Sequence, residues 1–202
     1  MITRVRASIL AIAFAAIVTL PAIAAAQTPL TIGVKAGVNI AKLNFEDDED
    51  DPDLKSLVGA VGGLFVGKQI NDAVGFRVEG LFSQKGAKNA EAGDDFKFKL
   101  NYIDVPVLLT LGPSSSDTTR FNVFTGPQFS FNIKAEDELN GIKTDRDDDV
   151  KSSDFAWVLG AGVESGRFTA DARYTLGLSN IAEGGGDVKN RVFSVMVGVK
   201  LK

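Results

Sequence analysis

"FTADARYTLGL", residues 168–178, sorts its side chains by parity. Phe168, Ala170, Ala172, Tyr174, Leu176 and Leu178 fall on one side, and Thr169, Asp171, Arg173 and Thr175 on the other. Period two is the mark of an extended strand, whose successive side chains point to opposite faces. In a soluble sandwich or barrel the apolar face lines the core; in a membrane barrel it meets lipid and the polar face fills the lumen. This segment fits both arrangements, so the choice rests on the rest of the chain.

The same alternation recurs along the sequence. Residues 30–41 set Leu30, Ile32, Val34, Ala36, Val38 and Ile40 against Thr31, Gly33, Lys35, Gly37 and Asn39. Residues 120–133 set Phe121, Val123, Pro127, Phe129, Phe131 and Ile133 against Asn122, Gln128, Ser130 and Asn132. Residues 191–202 set Phe193, Val195, Val197, Val199 and Leu201 against Ser194, Gly198 and Lys200. With 57–69, 74–86, 96–111, 154–165 and 168–178 these make eight strand-like segments. Short links at 70–73, 112–119 and 166–167 alternate with longer polar ones at 42–56, 87–95, 134–153 and 179–190. This rhythm predicts an all-β fold: an eight-stranded, antiparallel, up-and-down transmembrane β-barrel with tight periplasmic turns and long outer loops. A barrel of eight strands has a lumen that side chains fill, which excludes a wide diffusion pore.

The polar parity carries Lys35, Arg77, Lys85, Arg173 and Lys200 against Glu79, Asp104, Glu164 and Asp171. Burying an unpaired ion costs several kcal/mol, so near balance on an inward face predicts a ladder of ion pairs. Asp104 is expected to meet Arg77 or Lys35. Pro106 has no N–H to give the ladder and a closed barrel has no edge, so a bulge is expected near Asp104–Pro106.

The first 26 residues carry Arg4 and Arg6, an apolar run from Ile9 to Leu20, and small residues ending at Ala26. That is the layout of a secretory signal peptide, with residues 27–202 as one barrel domain, and the apolar run is short for a bilayer span. Removing Arg4 and Arg6 leaves 20 basic groups against 26 acidic ones, a net charge near −6 that argues against nucleic acid as a partner. The chain has no Cys, so disulfides do not hold it together. It has no His either, which removes the usual triads and the commonest transition-metal ligand. No cofactor is implied, and the chain is expected not to be an enzyme. The glycines of "GAVGGLFVG" (59–67) and "GAG" (160–162) open no helix and match no phosphate loop; in a small barrel they make room for large inward neighbours.

"NYIDVPVLLTLG" (101–112) resembles the Y-L-E-I-P-L-L-L-K segment of PorT-like outer-membrane β-barrel proteins. "TIGVKAGVNIAKL" (31–43), "GFRVEGLFSQKGAK" (75–88) and "FNVFTGPQFSFNI" (121–133) are similar to other parts of that family, in the same order. The resemblance implies an eight-stranded barrel of the size of OmpX or OmpA in the outer membrane of a Gram-negative bacterium. It implies little biochemistry, although some family members are associated with secretion or gliding. The chain departs from outer-membrane barrels that finish on an aromatic residue, because it ends "VGVKLK".

Two acidic runs fall in long loops. Glu46, Asp47, Asp48, Glu49, Asp50, Asp51 and Asp53 give the first loop seven carboxylates in eight residues, and "DRDDD" (145–149) lies in the third. Such oxygens suit Ca²⁺ or Mg²⁺, or cations shared with lipopolysaccharide phosphates, but the spacing is not that of an EF-hand. Long like-charged runs are ordinarily solvated. Trp157, Phe155, Tyr174 and Tyr102 are candidates for interfacial girdles.

These observations favour a monomeric outer-membrane barrel with lipid and lipopolysaccharide around it. It would serve structure, adhesion or secretion through loops that can take a protein partner. The alternative is a soluble periplasmic carrier of lipocalin type, with the apolar parity turned inward around a greasy cavity. A lipid-modifying enzyme, with Glu79 and Asp104 as an acid pair, ranks behind both.

Overall fold

The computed structural model describes residues 30–45, 54–89, 96–112, 118–139, 142–145, 150–181 and 188–202. The expected leader, residues 1–26, and the acidic stretch 46–53 lie outside them. Among the described residues every regular element is a strand: β1 (Thr31–Phe45), β2 (Leu54–Gln69), β3 (Val74–Asn89), β4 (Phe96–Leu111), β5 (Thr119–Leu139), β6 (Ile142–Asp145), β7 (Ser153–Ser165), β8 (Phe168–Gly177) and β9 (Val188–Lys200).

All pairings are antiparallel. β1 bonds β2 on one side and β9 on the other, and β4 bonds β5, so eight strands close into a ring. The ninth, β6, stands outside that ring. It pairs with Glu136–Leu139 of β5, while β7 pairs with Thr119–Phe131 further down the same strand. Closure leaves the barrel wall without a free edge, the condition for crossing hydrocarbon with strands.

The faces are assigned by burial. In β8, Thr169, Asp171, Arg173 and Thr175 are buried, while Phe168 is 69% and Tyr174 42% exposed. β1 and β9 follow suit, with Val34, Val38, Ile40, Phe193, Val195 and Val197 exposed around the outside. The polar parity therefore faces inward and the apolar parity forms an outer belt. A lipocalin-type carrier needs the reverse.

Three features differ from the sequence expectation. The register shifts lie at Asn101/Tyr102 between β4 and β5 and between Ser56 and Val61 of β2 against β3, not at Asp104–Pro106. Around Pro106 the β3–β4 ladder keeps the same register from Val78↔Val107 to Leu81↔Asp104, so the missing donor is absorbed without an extra residue. Secondly, β5 runs on to Leu139 and pairs with β6 inside what reads as a loop, 134–153. There charge replaces hydrophobic alternation: Lys99 reaches Glu138 at 2.5 Å and Lys134 reaches Glu136 at 2.6 Å. Thirdly, Tyr102 is fully buried in the lumen rather than part of a girdle, whereas Trp157 and Phe155 do lie on the outer face.

Two inward glycines serve aromatic rings. A Cβ on Gly33 would run into the Phe65 ring, and one on Gly160 into the Phe124 ring. Large inward side chains lie across the wall at these points, which a narrow lumen otherwise denies them.

Candidate functional site

The lumen is built from inward positions on nearly every strand. Lys35 of β1, Arg77 and Glu79 of β3, and Asp171 and Arg173 of β8 come together in one knot. Lys35 Nζ lies 2.9 Å from Glu79 and 2.7 Å from Asp171. Arg173 grips Glu79 with both arms, at 2.8 Å and 3.2 Å, and donates to Asp171 at 3.1 Å. Arg77 Nε is 2.8 Å from Glu79, and its Nη2 is 3.7 Å from Asp171. Forked guanidinium–carboxylate pairs are the strongest of protein hydrogen bonds and fix orientation as well as charge. Glu79, 1% exposed, holds three cations at once.

Three cations on two carboxylates leave the knot one positive charge in excess, and Phe124 sits where it offsets part of that. Arg77 and Arg173 both lie over its ring, 4.7 Å and 5.3 Å from the centroid. Lys35 lies over Phe65 at 5.2 Å. A desolvated cation over an aromatic face is worth about 2 kcal/mol. The order of cause runs from Gly160, which admits the Phe124 ring, to the ring, which backs the two guanidinium groups.

The other lumen charges pair separately. Lys85 donates to Asp104 at 2.9 Å and lies 4.5 Å from the Tyr102 ring centroid. Asp104 therefore meets Lys85, not Arg77 or Lys35. Lys85 stands opposite Leu100 and Asp104 opposite Leu81, so the lysine stem must run along the barrel axis to reach its partner. Glu79 and Asp104 serve different cations and do not form an acid pair. Lys200 and Glu164 pair at 3.1 Å near the short-turn rim, where both are partly exposed.

Sequence reasoning passed over Asp154 and Phe124, and it placed Asn39 and Ser194 on the polar parity without a partner. Asp154 is a buried carboxylate that accepts from Ser179 at 2.6 Å and from Asn190 at 3.1 Å. It shares its parity with Ala156 and Val158, opposite Phe155 and Trp157, so alternation does place it inward. It adds a fifth carboxylate to the four named from parity. Asn39 binds Ser83 at 2.9 Å and accepts from Ser194 at 2.7 Å, linking β1, β3 and β9. Phe124 is signalled only by its parity with Asn122, Gln128 and Ser130.

Towards the long loops the lumen turns apolar. Ala87, Leu100, Tyr102, Ala135, Val150 and Ile181 form a buried cluster, with Phe98 and Val188 against it. Val150 and Ile181 come from outside the strands and are tied together where Lys151 N–H donates to the Ile181 carbonyl at 2.9 Å. The bulge aims Ala135 inward: Asn132 opposes Tyr102 and Lys134 opposes Asn101, so the extra residue, Ile133, resets the parity above it.

A closed barrel with a greasy belt and an ionic lumen defines the class of outer-membrane β-barrels. The outer membrane protein beta-barrel domain family matches residues 25–183, and the chain belongs to that family. It is a protein of the bacterial outer membrane. Its fold is similar to that of Neisserial surface protein A, at 18% identity and a TM-score of 0.52, over 86% of this chain and 99% of that one. Ail, the attachment invasion locus protein of Yersinia pestis, aligns at 17% identity and a TM-score of 0.43, over 85% of this chain and 98% of that one. OprG from Pseudomonas aeruginosa aligns at 10% identity and a TM-score of 0.47, over 86% and 97%. No curated protein matches the chain in sequence.

Proposed function

We propose that this protein is a monomeric, non-conducting barrel, PorT-like within its family, that anchors its outer loops in a Gram-negative outer membrane. Its role is structural, adhesive or secretion-linked and is exercised by those loops against lipopolysaccharide or a protein partner. The observation that carries this reading is the knot of Lys35, Arg77, Glu79, Asp171 and Arg173, which occupies the lumen where a channel would have to run. The apolar cluster between the knot and the loops supports it further. The reading is also non-catalytic: the chain has no His, and Glu79 and Asp104 are each committed to a cation.

Planar-bilayer recording of the purified protein tests the sealed lumen. No stepwise current is expected, and regular open levels would overturn the proposal. The role of the loops is tested by crosslinking in intact envelopes, comparing the full chain with a variant lacking 44–55. A partner captured equally by both would count against the first loop.

A further inference from the structure

The outer wall is not uniformly bulky. Ala36, Val197, Ala170 and Val163 stand side by side across β1, β9, β8 and β7. The row nearer the short turns holds Phe168, and two rows further from them stand Phe193 and Tyr174. Between these aromatics the wall recedes into an apolar groove of about 600 Å³ lined by Val34, Ala36, Val163, Phe168, Ala170 and Val197. On the lipid-facing side of a membrane barrel, hydrocarbon chains are what can fill it.

The rim below the groove carries positive charge. Arg167 follows Gly166 in the β7–β8 turn, directly before Phe168, and is exposed. Its Nη2 touches the Leu201 carbonyl at 3.4 Å, and its own carbonyl accepts from Lys200 N–H at 2.7 Å. These contacts hold the turn against the end of β9, beside exposed Lys202. Among the described residues no carboxylate pairs with Arg167, and neighbouring Glu164 is taken by Lys200. An exposed guanidinium with open donors, one residue from an acyl-sized groove, is complementary to a phosphate with a hydrocarbon tail.

We propose that this wall binds an anionic phospholipid of the inner leaflet, with an acyl chain in the groove and the headgroup phosphate on Arg167. The choice of leaflet rests on the orientation given above, with short turns on the periplasmic side. A zwitterionic lipid offers the same chain and a phosphate already partnered by its own amine, so the anionic lipid is preferred.

The test uses the full chain folded in vesicles, with Trp157→Phe removing the native fluorophore and Phe168→Trp reporting from the groove. Brominated phosphatidylglycerol is expected to quench with a binding constant about fivefold above brominated phosphatidylethanolamine, the worth of one surface cation. Arg167→Ala should return the ratio to about one, and a reporter on the opposite wall, Leu111→Trp, should give about one from the start. Equal quenching at Phe168→Trp, the same preference at Leu111→Trp, or a preference that survives Arg167→Ala each overturns the site. Loss of the preference on adding unlabelled lipid A would assign the groove to the other leaflet and overturn it too. Should Phe168→Trp fail to show the heat-modifiable migration of a folded barrel, Leu201→Trp reports from the same rim. Quenching by neither lipid would refute the lipid-facing orientation itself, a separate failure from loss of selectivity.

Discussion

The ionic knot and the apolar cap fill the same lumen by opposite means. In the knot, Glu79 and Asp171 pair in charge with Lys35, Arg77 and Arg173 from strands that are far apart in sequence, while Arg77 Nε and Nη2 and Arg173 Nε make no hydrogen bond. In the cap, Leu100, Ala135, Val150 and Ile181 exclude water by packing alone, and the one polar group among them, the Tyr102 hydroxyl, faces the side chains of Asn132 and Asn190. The knot fixes which strands sit across from one another, because each ion is costly unless its partner arrives. The cap closes the mouth with residues that tolerate rearrangement. Specificity and sealing are thus separated by level along the axis.

That contrast can be broken. Glu79→Ala should have the largest effect, about 3–5 kcal/mol of destabilisation, because three buried cations lose a shared partner. Urea unfolding in vesicles, followed by Trp157 fluorescence, measures it; a loss under about 1 kcal/mol would mean water rescues the knot. Phe124→Ala comes next, at roughly 3 kcal/mol, from the cavity and the lost backing of Arg77 and Arg173. The same unfolding curve measures it, and a cost no larger than a surface change would deny the ring its role.

Tyr102→Phe sharpens the comparison. It removes a buried hydroxyl that faces Asn132 and Asn190, so stability should fall by about 1 kcal/mol. No loss, or a gain, would show that the cap holds by packing alone. Lys200→Ala should matter least, under roughly 0.5 kcal/mol and less in high salt, since its pair with Glu164 is partly exposed. Comparing unfolding midpoints at low and high ionic strength checks this.

Much of the fold is legible in the sequence because a hydrocarbon belt imposes a strict alternation. β8, β1 and β9 separate their faces residue by residue, and every lumen charge named from that parity occupies an inward position, the Lys200–Glu164 pair at the rim. What alternation misses has a physical reason in each case. The upper part of β5 carries charged pairs, Lys99–Glu138 from β4 and Lys134–Glu136 within the strand, in place of an apolar face, and β6 is four residues long, so no period marks them. Val150 and Ile181 reach the cap from outside any strand. The partner of Asp104 depends on how far Lys85 extends along the axis, which residue type alone does not say. Phe124 is apolar on a polar face, and its purpose emerges only when Arg77 and Arg173 arrive from other strands.

The seam between β1 and β9 joins the two ends of the folded chain, with Val34 beside Val199 and Phe45 beside Val188. No partial ring can be sealed: until the last strand is delivered, the first presents a bare row of amides that hydrocarbon will not accept. Assembly is accordingly slow and late-committing, as nonlocal pairing demands. A single residue deleted from either flank would turn one strand's ions towards the lipid.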